Sequence, residues 1–211
     1  MQIHVPLRER NKVEKLQKIR EATRDLFIEK GYDETTTREI AARAGVGIGT
    51  VFSYAENKRD LLFLIANDGL DEVTRKCEAS ISEDASCLKN LLTIFRFHYK
   101  FYATQPALSR LLLREMTFYD SGRQATQFQQ TRERNIRLVG AVVRMAADNK
   151  SIALQDDAEF AGWVMFCVFQ VELRRWLTTK ELDLTAGMSR LERGIRLCMT
   201  GWGAKPSALK K

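Results

Sequence analysis

The spacing of apolar residues restricts the fold of this 211-residue chain more than any other feature of its sequence. Apolar side chains recur three and four positions apart along most of the chain, and this is the period of one face of an α-helix. Only three prolines occur, at Pro6, Pro106 and Pro206, and proline is the residue that a helix interior tolerates least. The sequence therefore predicts an all-α fold.

Capping residues divide the first part of the pattern into three helices. The first helix is predicted over residues 12–30. Thr36 and Glu39 have the spacing of a capping box and begin a short second helix, which Gly45 ends. A third short helix is predicted over about 48–55, after a tight turn.

Longer helices are predicted in the rest of the chain. Asn57 caps the first of them, and Pro106 ends the second because proline disfavours a helical conformation in the residue before it. Further helices are predicted near residues 106–120, 123–148, 156–179 and 183–200. We expect a small module over residues 8–60 and a larger helical domain over residues 61–203.

The chain carries a formal net charge of +7, and much of the positive charge lies at its amino end. The basic residues of this arm are Arg8, Arg10, Lys12, Lys15, Lys18 and Arg20. Such a balance favours polyanionic partners, although it is also common in proteins that bind none. Two interpretations of the arm stay open: a disordered tail, or a segment whose Arg8 or Arg10 enters the minor groove of DNA.

Neither the cysteines nor the apolar segments indicate a metal site, a disulfide or a membrane span. The four cysteines form no C-x-x-C pair, so we interpret them as reduced core thiols and expect no cofactor. The longest apolar run, FAGWVMFCVF at residues 160–169, is about half as long as a bilayer requires. With no evident signal peptide, the expectation is a soluble, cytoplasmic protein.

The segment AGVGIGTVFSY, residues 44–54, contains three closely spaced glycines. Since glycine in a helix costs about 1 kcal/mol relative to alanine, such a run marks a sharp turn or a close approach to another molecule. Two short helices joined by a glycine turn form a helix-turn-helix, whose second helix lies in the major groove of DNA. Thr50, Tyr54 and Lys58 share one face and can donate to phosphate oxygens. An ordinary surface loop is the alternative.

The stretch GYDETTTREIAARAGVGIGTVFSYAENKRDLL, residues 31–62, resembles the tetracycline-repressor (TetR) family of bacterial regulators. The shared pattern is G-Y, T-T, I-A, A-G-V, G-T, an aromatic pair and K-x-x-L, and it continues upstream through LFIEKG. The resemblance implies phosphate contacts by Thr36, Thr37, Thr50, Tyr54 and Lys58. It implies base-reading positions at Arg38, Gly47, Ile48, Gly49, Phe52 and Ser53.

Three residues depart from the family pattern. Gly47 replaces the usual serine, Phe52 the usual tyrosine and Ala55 the usual phenylalanine. The first two changes remove hydroxyl donors. The third change places a smaller side chain where the second short helix contacts the core. Direct base readout is therefore expected to be sparse, with Arg38 suited to guanine and Ile48 to an apolar contact, and part of the specificity to come from DNA shape.

The two carboxyl-terminal helices carry more apolar surface than one amphipathic layer explains. The segment 156–179 is apolar almost all round between Phe160 and Val171. The segment 183–200 has a narrow apolar seam formed by Leu184, Met188, Leu191, Ile195 and Cys198. The resemblance implies dimerisation through the last two helices, so we expect a homodimer and a palindromic operator.

The resemblance also implies a small-molecule effector cavity in the larger domain. The aromatic residues of that domain suit an aromatic or lipophilic ligand. Ordinary core packing is the alternative for each of them, and for His98 it is the commoner role. The candidate pocket residues are Phe95, His98, Phe101, Tyr102, Phe118, Trp163, Phe166, Gln170 and Arg174.

Together these patterns predict a transcriptional regulator, most readily a repressor, which a small ligand releases from a double-stranded DNA operator. The alternative is a ligand-independent architectural DNA-binding protein with a filled core and weak sequence preference. An enzyme is not expected, because the chain has two histidines and neither a nucleophile-base pattern nor a phosphate-binding loop.

Overall fold

The computed structural model describes residues 6–211, and within that range the chain forms helices and turns without a strand. The helices are α1 (Leu7–Glu29), α2 (Thr37–Arg43), α3 (Ile48–Phe52), α4 (Lys58–Ser80), α5 (Cys87–Thr104), α6 (Pro106–Glu115), α7 (Ala125–Asp148), α8 (Ala158–Leu177) and α9 (Leu184–Gly201). Two short 3₁₀ turns cover Met116–Phe118 and Pro206–Leu209. The all-α prediction is confirmed. No helix among these residues is sufficiently long and apolar to span a membrane.

The predicted helix caps are present. The side chain of Thr36 accepts a hydrogen bond from the Glu39 amide, and the Glu39 carboxylate accepts one from the Thr36 amide, which completes the capping box of α2. Gly45 follows α2 with a φ of +64°, a conformation that favours glycine. At α4, the Asn57 side chain accepts from the Asp60 amide at 2.9 Å.

Three predicted boundaries were wrong. Helix α1 begins at Leu7, not near residue 12, because its exposed first residues, LRERNK, are largely good helix formers. The described part of the basic arm is therefore helical, and the disordered-tail interpretation fails for it. Helix α3 ends at Phe52, and the segment predicted over 106–120 is α6 followed by a 3₁₀ turn.

The chain divides into two compact units. The first comprises the described residues up to 68 together with residues 111–129, and the second comprises residues 69–110 and 130–211. The first unit thus contains a segment far along the sequence, which no sequence pattern indicated. The functional domain limits 8–60 and 61–203 stay a prediction.

Each unit has its own apolar core. In the first unit, Ile19, Ile40, Val51 and Phe63 are completely buried. In the second unit, the buried side chains include Leu88, Phe95, Phe169, Leu191 and Ile195. The central residues of the apolar seam predicted on α9, Met188, Leu191 and Ile195, therefore pack inside their own unit, whereas Leu184 and Cys198 are half-buried.

Helices α7 and α8 cross at a pair of glycines in the second unit. A Cβ atom at Gly162 would lie 2.5 Å from the Gly140 Cα atom. A side chain at Gly162 would therefore collide with the α7 backbone, whereas a Cβ atom at Gly140 would lie 3.3 Å from the Ala158 carbonyl oxygen, a tight contact. The glycine at position 162 thus allows the two backbones to pack closely.

Candidate nucleic-acid interface

Helices α2 and α3 are joined by a short turn in the first unit. The Val46 amide donates to the Ala41 carbonyl at 3.0 Å, and the Gly45 amide donates to the Ala42 carbonyl at 3.1 Å. These bonds bring the chain back toward α2 as soon as α2 ends. Because Ile40 and Val51 are completely buried on the inner side of the pair, the opposite sides of α2 and α3 are left at the surface.

This outer surface carries every predicted base-reading residue. Ile48 is 37% exposed and Phe52 is 42% exposed. The same surface also presents Arg38, Gly47, Gly49 and Ser53, all of which are exposed or partly exposed. No other atom lies within 4 Å of a Cβ position built on Gly47 or Gly49. We call this set, together with the predicted phosphate residues, the recognition surface.

The predicted phosphate residues border the same surface, and several already have partners within the chain. Thr36 is exposed, whereas Thr37, Thr50 and Tyr54 are at least partly exposed. The Tyr54 hydroxyl donates to the Lys12 carbonyl at 3.2 Å. The hydroxyl oxygen can still accept a hydrogen bond, but a phosphate contact as donor requires Tyr54 to leave Lys12.

The Lys58 ammonium is held at the start of α4. Its Nζ atom donates to the Asp33 carbonyl at 2.9 Å and lies 4.6 Å from the centroid of the Tyr32 ring. A cation above an aromatic face retains its full charge. The contacts therefore position the ammonium without neutralising it.

The basic side chains around α2 differ in their ion pairs. Arg43 pairs with Glu29 at 2.9 Å, and Lys30 pairs with Glu39. The Lys30 contact and the α2 cap hold the pKa of Glu39 at about 2. Arg38 takes part in no ion pair among residues 6–211, so its charge at the recognition surface is uncompensated.

Comparison with known protein families agrees with this geometry. Residues 19–65 match the family model described as bacterial regulatory proteins, tetR family, and this range contains α2, the turn and α3. Residues 19–65 are thus similar to the corresponding segment of tetR-family regulators. The family resemblance predicted from the sequence is confirmed for this segment.

A curated relative matches the chain over part of its length. Over 89 residues the chain is 28% identical to the fatty acid metabolism regulator protein of Bacillus subtilis (strain 168). The match covers 42% of this chain and 46% of that protein, which is less than half of the relative.

Solved structures share the TetR fold over most of the chain. The FadR regulator of Bacillus subtilis, in complex with stearoyl-CoA, matches with a TM-score of 0.68 at 20% identity and covers 88% of this chain and 98% of that one. Thermus thermophilus FadR, a TetR-family repressor in complex with lauroyl-CoA, also matches with a TM-score of 0.68 at 20% identity, over 88% of this chain and 94% of that one. At this identity the likeness shows the fold alone.

The first unit contains a buried carboxylate that sequence reasoning missed. Asp60 is completely buried at the start of α4. It accepts hydrogen bonds from the amides of Glu56 at 2.9 Å, Gln124 at 2.9 Å and Arg123 at 3.0 Å, and from the Tyr119 hydroxyl. A buried carboxylate is stable only when its oxygens are satisfied in this way. We call these five residues the Asp60 cluster.

The same segment also reaches the carboxyl end of α3. Arg123 Nε donates to the Phe52 carbonyl at 3.0 Å, and Gln124 Nε2 donates to the Tyr54 carbonyl at 2.9 Å. These carbonyls lie at and just beyond the end of α3, where helical partners are lacking. About 70 residues separate the bonded groups along the chain, so no local pattern could have predicted the contact.

The second unit brings several predicted pocket residues together around Phe169. Phe95 stacks on Phe169 with ring centroids 4.7 Å apart, and the rings of His98 and Phe166 lie 5.3 Å and 5.7 Å from it. These side chains are buried. Tyr102 is also buried, with Phe101 beside it at 5.2 Å between centroids. In this form of the molecule, these side chains pack against one another.

His98 belongs to a buried polar chain between α4, α5 and α7. Its Nε2 atom lies 2.9 Å from Asn135 Oδ1, and Asn135 Nδ2 donates to Thr74 Oγ1 at 2.7 Å. Burial lowers the pKa of His98 to about 4, so the ring is neutral at pH 7. This arrangement agrees with the interpretation of His98 as a hydrogen-bonded histidine of the core.

The remaining pocket candidates lie elsewhere. Phe118 is in the first unit and is 81% exposed. Trp163 is 46% exposed, and Gln170 and Arg174 are half-buried. An open groove of about 350 Å³ between α5 and α9, which Leu92 and Met188 help to line, contains none of the predicted pocket residues.

Proposed function

We propose that this protein is a homodimeric transcriptional repressor whose α3 helices read a palindromic DNA operator. The observation that carries the proposal is the recognition surface. An inner face of completely buried apolar residues, Ile40 and Val51, fixes α2 against α3, and the outer face presents a cation, backbone at two glycines and apolar groups to solvent. Such a face suits a groove of duplex DNA.

The side chains divide into two roles at that surface. Arg38 is the residue suited to a bidentate guanine contact, while Ile48 and Phe52 suit thymine methyl groups and sugars. Gly47, Gly49 and Ser53 add backbone and a small side chain to the base-reading face. The phosphate role belongs to Thr36, Thr37, Thr50, Tyr54 and Lys58.

A homodimer through α8 and α9 is part of the proposal. The rings of Phe160 and Trp163 stack with centroids 5.9 Å apart at the surface of α8, and both are about half exposed. Val171 on α8 is 61% exposed and Leu197 on α9 is 76% exposed. Large apolar side chains at this density on two neighbouring helices favour coverage by a second subunit.

A lipophilic effector in the second unit completes the proposed function. The solved FadR structures contain stearoyl-CoA and lauroyl-CoA, and we extend this ligand class, a long-chain acyl thioester of coenzyme A, to the present chain. The aromatic group around Phe169 would have to open to admit the acyl chain. A ligand that prefers the opened conformer shifts the population away from the DNA-binding form, typically with about 1 to 3 kcal/mol of coupling.

The test is selection of bound duplexes from a random DNA pool with the full chain. The expected product is a palindrome with half-sites about one helical turn, ~10 base pairs, apart. Long-chain acyl-CoA should then lower the affinity for the selected duplex about fivefold or more. Binding without sequence preference would contradict the proposal and support the alternative of a ligand-independent architectural DNA-binding protein.

A further inference from the structure

The recognition helix α3 contains no charged side chain. Its sequence is IGTVF, with no acidic residue in its first turn and no basic residue in its last. The carboxyl end of a helix carries a partial negative charge, which repels phosphate. Since α3 has no cation of its own, a cation from another part of the chain would offset this partial charge.

Arg123 supplies a cation at this place. Its Nε atom donates to the carbonyl of Phe52, the last residue of α3, at 3.0 Å. The side chain is exposed, and a guanidinium has two further amino groups that can donate. Since Phe52 itself is 42% exposed on the recognition surface, the guanidinium lies at the edge of that surface.

The charge of Arg123 is not compensated. The ion pairs among the described residues of the first unit use Lys18, Arg20, Lys30, Arg43, Arg59 and Arg114. Arg123 is in no ion pair among residues 6–211, a property that it shares with Arg38 and Lys58. Uncompensated cations that border one surface are the arrangement that an anionic partner requires.

The backbone of Arg123 is also held in position. Its amide donates to the buried Asp60 carboxylate, and the neighbouring Gln124 amide does the same. Two bonds to one buried carboxylate restrict the segment before DNA arrives. Little conformational entropy is then lost when the guanidinium binds a phosphate.

We propose that Arg123, although about 70 residues from the helix-turn-helix, is a DNA-contacting residue that donates to a backbone phosphate at the carboxyl end of α3. This inference rests on the proposed function, because it assumes that the recognition surface binds duplex DNA. It adds a phosphate contact from the segment between α6 and α7 to those of α2, α3 and α4. The contact carries no base information, so it raises affinity for all sequences alike.

Two substitutions separate the charge of Arg123 from its contact with Phe52. In Arg123→Gln, the side-chain Nε2 stands at the same distance along the chain as the arginine Nε, so the bond to the Phe52 carbonyl can form while the charge is removed. In Arg123→Lys, the charge is retained. Arg137, an exposed arginine of α7 in the second unit without an ion pair among residues 6–211, provides the matched control Arg137→Gln.

The measurement is the affinity of each full-length protein for the selected duplex over a range of salt concentrations. Arg123→Gln should bind about tenfold more weakly, and its salt dependence should be flatter by about 0.9 in slope for each phosphate that the variant no longer neutralises. Arg123→Lys should retain the wild-type slope, and Arg137→Gln should match the wild type.

The outcomes distinguish this inference from the proposed function. If the wild type binds the duplex and Arg123→Gln has the same affinity and slope, Arg123 serves only as a cap of α3 and the inference is wrong. If the wild type binds no duplex, the proposed function is wrong, and the inference that rests on it is wrong as well.

Discussion

The two units contain buried polar clusters of opposite character. In the first unit the Asp60 carboxylate is buried and accepts four hydrogen bonds from three parts of the chain. In the second unit a neutral chain links His98, Asn135 and Thr74. Both clusters join elements that are distant in sequence, but only the first contains a formal charge.

The difference reflects what each cluster holds together. A buried carboxylate tolerates little rearrangement, because each broken hydrogen bond leaves charge unsatisfied in a medium of low dielectric constant. The Asp60 cluster is thus suited to fix the segment around Arg123 against α3. Neutral groups lose less when they separate, so the His98 chain is compatible with a second unit that opens around a ligand.

Removal of the Asp60 carboxylate should have the largest effect. In Asp60→Ala, the amides of Glu56, Arg123 and Gln124 and the Tyr119 hydroxyl lose their acceptor. We expect a loss of about 3 to 5 kcal/mol in the free energy of unfolding, measured by urea denaturation. A loss below about 1 kcal/mol would contradict the role assigned to the cluster.

The pH dependence of stability should report the His98 chain. The ordinary pKa of histidine is about 6.5, and burial lowers the pKa of His98 to about 4 in the folded protein. Below about pH 6.5 the unfolded chain therefore binds a proton that the folded protein does not. The contribution of neutral His98 to the stability of the folded protein is complete above that pH and is lost as the pH falls toward about 4. The loss should amount to about 3 kcal/mol.

The variant His98→Gln isolates this contribution. Glutamine retains a donor for Asn135 but does not titrate, so the variant should lose less stability than the wild type between about pH 7 and pH 4.5. The other histidine, His4, is present in both proteins and cancels in the difference. Parallel stability curves for the two proteins would mean that His98 is not buried in a neutral form.

The smallest effect is expected for Tyr119→Phe. Burial and the adjacent Asp60 raise the pKa of Tyr119 far above its ordinary value, so its hydroxyl is a donor at neutral pH. Phenylalanine retains the stack on Phe63, whose ring centroid is 3.6 Å away, and removes only the hydroxyl. A loss of about 2 kcal/mol is expected in urea denaturation. A more stable variant would show that Asp60 does not need this donor.

The sequence predicted the parts of the molecule that depend on neighbouring residues. The capping box at Thr36, the turn at Gly45 and the cap at Asn57 involve groups within a few positions of one another, so their spacing could be recognised directly. The surface position of Ile48 and Phe52 could be predicted from a similarly short segment, because the opposite face of α3 is buried.

Features built from distant residues were not predictable from the sequence. Nothing in the sequence around Asp60 indicates that its hydrogen-bond donors are Arg123 and Gln124. The seam on α9 was recognised as a packing face, but periodicity alone could not tell whether its partner lay in the same subunit. Phe118 illustrates the same limit, since an aromatic residue in an apolar helix pattern proved to be exposed.

The most direct test of the account is the binding of the full chain to duplex DNA over a range of salt concentrations, for the wild type and Lys58→Ala. The wild type should bind at low salt, and the variant should bind every duplex more weakly, with a salt slope flatter by about 0.9 for each phosphate that Lys58 neutralises in the wild type. A variant whose affinity falls for one sequence alone would remove Lys58 from the phosphate-binding residues. A wild-type protein that ignores duplex DNA at low salt would contradict the assignment of α2 and α3 as a recognition surface.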